Sequence, residues 1–372
     1  MSHAAVPHCK ANSAAADSRG EVGPQPQPVD VAPPAIEFPT YPISWYVFCR
    51  SSDLARGPFS KEFLGQKFVA YRTSSGQIVA MDARCSHLGS DLGAGCVVGD
   101  GLRCPFHDWE YGSDGVCRRI PAQTKIPAFA RQTCYPAEER HGLVFIFNSP
   151  RVPYPLPFFA GVLPDELIRS RPFGTILDCP WYVSGANAFD LQHFRAAHDR
   201  RLVDEPVTDQ PSPYSYRALG VFGVEGDSLQ DRITRSVAGD RVSLGITDWC
   251  GSLSFATAQF RRTATFGLVA REPLADGRVR VDVYVFARRG RSLWRRSGFD
   301  WLHLEVRRLF IKRFLTADAI RLNGVRYAPE RLIDADRDMI NYYRWLAQAA
   351  RDAAAAAQKA DAVGGSFPNS AT

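Results

Sequence analysis

Two short cysteine–histidine pairs limit most strongly how this chain can fold. Cys85-Ser86-His87 is followed after sixteen residues by Cys104-Pro105-Phe106-His107, and both pairs have glycines nearby that favour tight loops. Thiolates and imidazoles on such loops are metal ligands, and two metal groups compete for them. A zinc ion would take all four side chains in one tetrahedron, whereas a [2Fe–2S] cluster takes both cysteines on one iron and both histidines on the other. Because each pair holds one ligand of each kind, the pattern favours the cluster.

The composition is that of a globular protein in a reducing compartment. The 372 residues include nine cysteines, an odd number, with 45% hydrophobic and 23% charged residues. No run approaches the ~20 apolar residues that cross a bilayer, and the N-terminus has no secretory pattern. We therefore expect a cytoplasmic protein whose cysteines are buried or bind metal. A net charge of +6 is too small to indicate nucleic-acid binding.

Proline content and apolar periodicity divide the chain into four predicted segments. Residues 1–42 are proline-rich and are expected to form a disordered arm, and residues 351–372 are expected to form a flexible tail. Short apolar runs between turn residues predict strands in residues 43–150, and mixed strand and helix periods predict a second domain in residues 151–350. The predicted fold class is therefore α+β, with an all-β domain first. The runs behind this prediction are strands at Trp45–Phe48, Phe68–Tyr71, Ile78–Met81 and Val279–Val285, and helices at Leu302–Phe310 and Met339–Leu346.

A second group of candidate metal ligands follows the first by roughly 80 residues. It contains Asp190, His193 and His198 in an Asp-x2-His-x4-His pattern. Asp190 and His193 are three residues apart and are predicted to share a helical face. His198 leaves that face, so the helix should bulge or end there for both rings to converge. Two histidines and a carboxylate are the ligands of a non-haem Fe(II) site that leaves positions open for O2.

These motifs resemble those of the Rieske non-haem iron oxygenases. The resemblance implies that Cys85 and Cys104 hold the buried iron of a Rieske [2Fe–2S] cluster and that His87 and His107 hold the outer iron. The resemblance extends over roughly residues 45–346. The motif sequences are most similar to those of aminopyrrolnitrin oxygenase and more distantly similar to those of cholesterol 7-desaturase. The matching segments are Cys85-Ser86-His87-Leu88-Gly89, Cys104-Pro105-Phe106-His107-Asp108-Trp109, Gly115-Val116-Cys117 and Ile120-Pro121.

The resemblance also implies the fold and the ligands of the second domain. That domain would have a helix-grip, START-like fold, in which His193, His198 and an acidic residue near the C-terminus hold one mononuclear Fe(II). Asp336 matches the sequence pattern of the family best at this position. Its rivals are Asp334, Asp338 and, more distantly, Asp318.

Family members use the aspartate at the position of Asp190 for a different purpose. They close into rings of three, and this aspartate joins the Rieske histidine of one subunit to the iron-site histidine of the next. The resemblance therefore implies a homotrimer in which Asp190 is essential for catalysis without binding iron. Asn187 lies near a family asparagine that is found beside the iron ligands.

Two functions remain open. An oxygenase component would use O2 and electrons from NAD(P)H to hydroxylate, N-oxygenate or desaturate a hydrophobic or aromatic substrate. Because the sequence has no flavin or nicotinamide fingerprint, a separate ferredoxin or flavin reductase would deliver the electrons. A Rieske electron carrier without oxygenase activity would have no use for Asp190, His193 and His198, so we favour the oxygenase.

A basic run near the C-terminal third has several interpretations. Nine cations lie between Arg288 and Arg313, with aromatic residues among them. They would suit a docking face for an acidic redox partner or a contact with a membrane surface. A solvated helix face explains them equally well.

Overall fold

The first part of the chain consists of short antiparallel strands, as the sequence predicts. The structure is a computed structural model that describes residues 36–358, except 199, 226–231, 233–234, 237–238, 262 and 291–297. Its strands are β1 (Trp45–Arg50), β2 (Phe59–Phe63), β3 (Gln66–Arg72), β4 (Ile78–Asp82), β5 (Cys96–Val98), β6 (Gly101–Arg103), β7 (Glu110–Tyr111), β8 (Cys117–Arg119), β9 (Cys134–Tyr135), β10 (Ala137–Arg140) and β11 (Leu143–Phe147). They form three sheets in the orders β1-β11-β10, β2-β3-β4-β9 and β5-β6-β7-β8.

Strand β3 shows why this region needs almost continuous apolar runs. Successive side chains of a strand point to opposite faces of the sheet. Phe68 and Ala70 enter one core, whereas Val69 and Tyr71 enter another. A strand that is buried on both faces cannot alternate apolar with polar residues. The predicted hairpin between β3 and β4 is confirmed by their antiparallel pairing.

The second part of the chain is dominated by one large antiparallel sheet. Its strands are β12 (Leu167–Arg169), β13 (Phe173–Leu177), β14 (Arg200–Leu202), β15 (Val207–Ser212), β16 (Ser215–Val224), β17 (Arg241–Trp249), β18 (Leu253–Gln259), β19 (Ala264–Pro273) and β20 (Val279–Arg288). The order is β12-β20-β19-β18-β17-β16-β14, with β13 also paired to β20 and β15 to β16. The strand predicted at Val279–Val285 is confirmed as β20, which follows a hairpin from β19.

In the described part of this region, two short and two long α-helices accompany the sheet. They are α1 (Trp181–Ala186), α2 (Leu191–His198), α3 (Asp300–Leu322) and α4 (Arg337–Gln358). Helix α3 packs on the sheet through Leu304, which contacts Val285 and Ala287 of β20. Helix α4 buries Tyr342 and Leu346 in the main core. Both predicted helical repeats are confirmed, as is the α+β class.

The main core crosses the domain boundary predicted near residue 150. Trp45 and Phe147 from the first sheet pack in the same cluster as Trp181 of α1. The hydroxyl of Ser44 lies 2.7 Å from that of Tyr154, and Ser44 is fully buried. The described residues belong to one compact unit. The division at residue 150 stays a prediction.

The structure shortens both of the predicted flexible ends. Residues 1–35 lie outside the described residues, but Phe38 stacks on Tyr182 with ring centroids 4.1 Å apart. Helix α4 continues beyond residue 351 and buries Ala353 completely. Apolar packing therefore orders parts of both segments that the sequence assigned to the arm and the tail. None of the helices among the described residues combines the length and the apolar character that a membrane span requires.

Candidate metal centres

The four predicted cluster ligands lie on two loops of the first region. The loop after β4 carries Cys85 and His87, and the loop between β6 and β7 carries Cys104 and His107. Both cysteines are buried, whereas His107 is exposed. The two imidazole rings face each other with centroids 4.8 Å apart. Thiols at depth and imidazoles near the surface suit a cluster with a buried iron and an outer iron.

The surroundings of these residues fit an iron–sulfur cluster. Burial raises the pKa of the Cys85 thiol, while the Tyr111 hydroxyl at 3.0 Å and the backbone N–H of His87 act in the opposite direction. Trp109 stacks on the His87 ring at a centroid distance of 4.5 Å and so fixes its orientation. The Nδ1 atom of His87 is buried and has no hydrogen-bond partner among the described residues. A buried nitrogen without a partner is costly unless it binds a metal.

The second group of ligands converges around one carboxylate oxygen. The Nε2 atoms of His193 and His198 are 3.2 Å apart. Asp318 Oδ1 lies 2.9 Å from His193 Nε2 and 2.6 Å from His198 Nε2. A metal ion with bonds of about 2.1 Å at right angles needs ligand atoms about 3.0 Å apart. The three atoms therefore fit one face of an octahedron.

Helix α2 brings the two histidines together. Asp190 precedes this helix, and its Oδ1 accepts a hydrogen bond from the backbone N–H of His193 at 3.1 Å, as an N-cap residue does. The sequence placed Asp190 on the helical face of His193, and the structure corrects this to the cap. The helix ends at His198, as predicted. The His198 ring stacks on Phe314 of α3 with centroids 3.6 Å apart.

Asp336, the predicted third ligand, does not lie with the histidines. It precedes α4, where its Oδ2 accepts the backbone N–H of Ile333 at 2.9 Å and its Oδ1 accepts the side-chain amide of Gln192 at 2.8 Å. A carboxylate at this position stabilises the beginning of a helix. The structure therefore corrects the prediction: Asp318, its most distant rival, occupies the position beside the histidines.

The carboxylate of Asp318 is held in its charged form. Burial alone would raise the pKa of Asp318, but hydrogen bonds from His193 and His198 hold it below its usual value. Asn187 Nδ2 lies 3.5 Å from the second oxygen, Oδ2, so the asparagine noted in the sequence does lie beside this group.

A sequence signal for Asp318 was available. Ile311, Leu315 and Leu322 recur on α3 at helical spacing and line the same cavity as Asp318. A carboxylate on an apolar helix face is rarely buried unless it is paired or binds a metal.

Comparisons with known proteins identify a domain in the first part of the chain. Residues 44–130 match the family model of the Rieske [2Fe-2S] domain. Cholesterol 7-desaturase of Drosophila melanogaster is 31% identical over 172 residues, 45% of this chain and 40% of the relative. The 3-ketosteroid-9-alpha-monooxygenase oxygenase component of Rhodococcus rhodochrous is 32% identical over 160 residues, 41% of each chain. The chain thus matches about two fifths of the length of these curated relatives.

Solved structures extend the likeness beyond the Rieske domain. Apo dicamba monooxygenase superposes with a TM-score of 0.62 at 18% identity, over 86% of this chain and 100% of its own. NdmA of Pseudomonas putida CBB5 with caffeine has a TM-score of 0.61 at 21% identity, over 83% of this chain and 94% of its own. These two likenesses show the fold. The chain thus contains a Rieske [2Fe-2S] domain at residues 44–130. The predicted likeness to cholesterol 7-desaturase is confirmed, and that to aminopyrrolnitrin oxygenase stays a prediction.

The second group of candidate ligands opens onto an apolar cavity. The cavity has a volume of about 390 Å³ and lies between α3 and the large sheet. Arg271 lies in its wall and forms a buried ion pair with Asp248 at 3.0 Å. The carboxylate of Asp248 also accepts a hydrogen bond from the hydroxyl of Ser254. The apolar residues of its wall include Leu244, Ile246, Phe266, Val269, Val283 and Leu315. An enclosed apolar space next to three metal-ligand side chains suits an apolar substrate.

Within its described residues, the basic run between Arg288 and Arg313 does not form one continuous face. Arg288 pairs with Glu166 at 3.0 Å, and Arg308 pairs with Glu305 at 2.8 Å. Arg307 lines a cavity. Lys312 and Arg313 are exposed, and residues 291–297 lie outside the described residues. The predicted docking face stays a prediction for the exposed part of the run.

Proposed function

We propose that this chain is the oxygenase component of a multicomponent Rieske system. It uses O2 and electrons from NAD(P)H to hydroxylate, N-oxygenate or desaturate an apolar organic substrate. The observation that carries the proposal is the convergence of His193, His198 and Asp318 on one point at the wall of an apolar cavity. A Rieske electron carrier has no use for such an enclosed group.

The two metal groups have separate sets of ligands in this proposal. The [2Fe–2S] cluster is held by Cys85, Cys104, His87 and His107. One Fe(II) is held by His193, His198 and Asp318. When bound, the cluster supplies electrons singly and the Fe(II) supplies the position at which O2 is activated.

Other residues of the chain prepare the Fe(II) position. Asn187 holds the second oxygen of Asp318, and Phe314 fixes the ring plane of His198. Such supporting contacts commonly change metal affinity 10–100-fold when they are removed. The apolar wall excludes water from the substrate.

The proposal includes an external electron donor and a homotrimer. A ferredoxin or a flavin reductase delivers electrons to the cluster. Three apolar side chains near the histidine end of the Rieske loops are more than 60% exposed, namely Leu88, Phe106 and Phe129. Such a surface suits a partner or a second subunit. Head-to-tail contacts that close produce a ring.

Asp190 is placed in this proposal between two subunits. One of its oxygens caps α2, and among the described residues the other accepts no side-chain or backbone hydrogen bond. A carboxylate in this position joins a histidine of its own subunit to a Rieske histidine of the next, and it fixes the tautomers of both rings.

A single-turnover experiment tests the function. Iron-loaded protein is reduced with dithionite and mixed with O2 and a panel of apolar compounds, while the visible spectrum of the cluster is followed. We expect an accepted compound to accelerate cluster oxidation and to yield a product labelled from ¹⁸O2 or desaturated. In His193→Ala the spectrum should persist and the acceleration should disappear. Cluster oxidation that is the same with every compound and in His193→Ala would favour the electron carrier.

A second experiment tests the trimer and Asp190. Asp190→Asn retains the shape of the side chain but loses the charge and one acceptor. We expect the cluster, the iron content and the trimer to persist while turnover falls by at least a hundredfold. Near-normal turnover, or an active monomer in light scattering, would remove the route between subunits.

A further inference from the structure

A second cavity adjoins the one at the metal ligands. It has a volume of about 420 Å³. Phe194, Ile311 and Phe314 line both cavities, and Phe314 is the ring that stacks on His198. The second cavity therefore begins directly behind the wall of the metal group.

The charged side chains that line this second cavity are arginines. Arg200 and Arg307 line it together with His303, and the described residues of its wall include no Asp or Glu. The rest of the wall is mainly apolar, with Phe222, Val242 and Phe260 among its residues. An apolar enclosure that carries guanidinium groups attracts an anion strongly, because its dielectric constant is low.

Arg307 is the residue that defines the binding position. It donates to the carbonyl oxygen of Ala264 and to His303 Nε2, each at 3.0 Å, and also to the hydroxyls of Thr263 and Thr265. All of these acceptors are neutral, and among the described residues no carboxylate pairs with Arg307. Burial lowers the pKa of this guanidinium, yet an arginine stays charged in a protein. A half-buried charge normally has a counter-charge, and the described part of the chain does not supply one.

The two threonines extend the site toward a ligand. A hydroxyl that accepts a hydrogen bond from a guanidinium keeps its own proton to donate. Thr263 and Thr265 both line the cavity, so they add two O–H donors next to Arg307. The N–H groups of Arg307 already donate to protein acceptors, including Nε to His303 Nε2 at 3.2 Å, so a carboxylate would be attracted by the positive charge and would accept its hydrogen bonds from the two threonine hydroxyls.

We infer that the substrate of this oxygenase is an elongated apolar molecule with a terminal carboxylate, which binds at Arg307 while the apolar end extends past Phe314 to His193, His198 and Asp318. This inference rests on the proposed function. Arg307 and Asp318 are eleven residues apart on α3, which corresponds to about 16 Å along the helix axis. The distance sets the length of the substrate, because the carboxylate and the reacting carbon must be at opposite ends.

Binding of matched ligands tests this inference without any turnover. The probes are ω-phenylalkanoates with chains of four to twelve carbons and the corresponding primary amides, titrated calorimetrically into the iron-loaded full chain without O2. We expect one intermediate chain length to bind best as the carboxylate and at least tenfold more tightly than its amide. Equal affinity of carboxylate and amide at every length would overturn the inference.

Variants on one helix locate the anion. In Arg307→Gln the carboxylate should lose at least tenfold in affinity while the amide is unchanged, and Arg307→Lys should retain part of the preference. Arg313→Gln is the matched control, because it removes an equal charge from an exposed position of α3 that lines neither cavity. An Arg307→Gln variant that binds both probes as the wild type does would contradict the assignment. The Rieske spectrum and the melting temperature show whether each variant is folded.

The same probes separate this inference from the proposed function. If the carboxylate binds through Arg307 but no compound gives an O2-dependent product, the function is wrong and the binding site stands. If neutral compounds are oxidised and no carboxylate is preferred, the function stands and the binding site is wrong.

Discussion

The two metal-ligand groups of this protein are built in opposite ways. The cluster ligands lie on two loops between residues 85 and 107, each fixed by the strands beside it. The proposed Fe(II) ligands join α2 to α3, and His193 and Asp318 are 125 positions apart in the sequence. The first group is defined by local backbone geometry. The second exists only when α3 packs on the large sheet.

The two groups also differ in their exposure. His107 is exposed and Phe106 beside it is 62% exposed, whereas the side chains of His193 and His198 are 9% and 3% exposed. A surface site can exchange electrons with another protein, and an enclosed site can keep water from a reaction. The difference in construction thus matches the difference in task that we propose for the two sites.

The largest expected effect concerns the local group. Cys104→Ser should remove the visible absorption of the cluster completely, because a buried thiolate ligand is lost. Cys96→Ser is the matched control, since Cys96 is exposed on the neighbouring strand β5. Absorption spectra of the two purified variants provide the measurement. A normal spectrum in Cys104→Ser would show that the local motif does not hold the cluster.

The next effect compares buried and exposed ion pairs in the two regions. Asp248→Ala leaves Arg271 charged and buried beneath the Fe(II) cavity and should lower the free energy of unfolding by about 3–5 kcal/mol. Glu110→Gln removes the partner of Arg103 near the Rieske loops, where the pair is partly exposed, and should cost less than about 1 kcal/mol. Denaturant titration measures both. Equal costs would mean that the large sheet depends no more on buried contacts than the loops do.

The sequence revealed the first group because its information is local. Each cysteine–histidine pair spans no more than four residues. Cys104 and His107 lie on one loop, as the pattern predicts. Strand β3 and the hairpin after it could also be predicted from the sequence, because apolar periodicity and turn residues are local features. Helix α2 and its end at His198 were predicted for the same reason.

The third proposed Fe(II) ligand could not be predicted from a local motif. Asp336 had the expected position at the beginning of a helix, but its carboxylate is occupied by Ile333 and Gln192. Local apolar spacing places Asp318 on an apolar face of α3, but only the packing of α3 brings it to the histidines, and the spacing does not encode that contact. The cavity at Arg307 was missed for the same reason: the run of cations was interpreted as a surface, whereas one of its members faces inward.

The smallest expected effect lies where the two regions meet. Burial, with Arg169 and Arg140 nearby, lowers the pKa of His141 to about 4. In the unfolded chain the pKa is about 6.5, so the unfolded state binds the proton first as the pH falls. The free energy of unfolding should therefore be highest above pH ~6.5 and should decrease as the pH falls toward ~4, by a total of less than about 1 kcal/mol because solvent screens this partly exposed ring.

A variant isolates this contribution of His141. His141→Asn tolerates the positive φ of 53° at this position and cannot titrate. Unfolding free energies of both proteins from pH 7 to pH 4 give the difference, which removes the effects of other groups. Parallel curves would show that His141 titrates normally and that the junction is open to water.

The iron content of two aspartate variants tests most directly that the second group is assembled at a distance. The wild type, loaded anaerobically, should contain about three irons per chain, two in the cluster and one in the second site. We predict that Asp318→Ala contains about two, with an unchanged Rieske spectrum, and that Asp336→Ala contains about three. An Asp318→Ala protein with three irons, together with an Asp336→Ala protein that has lost one, would contradict the account.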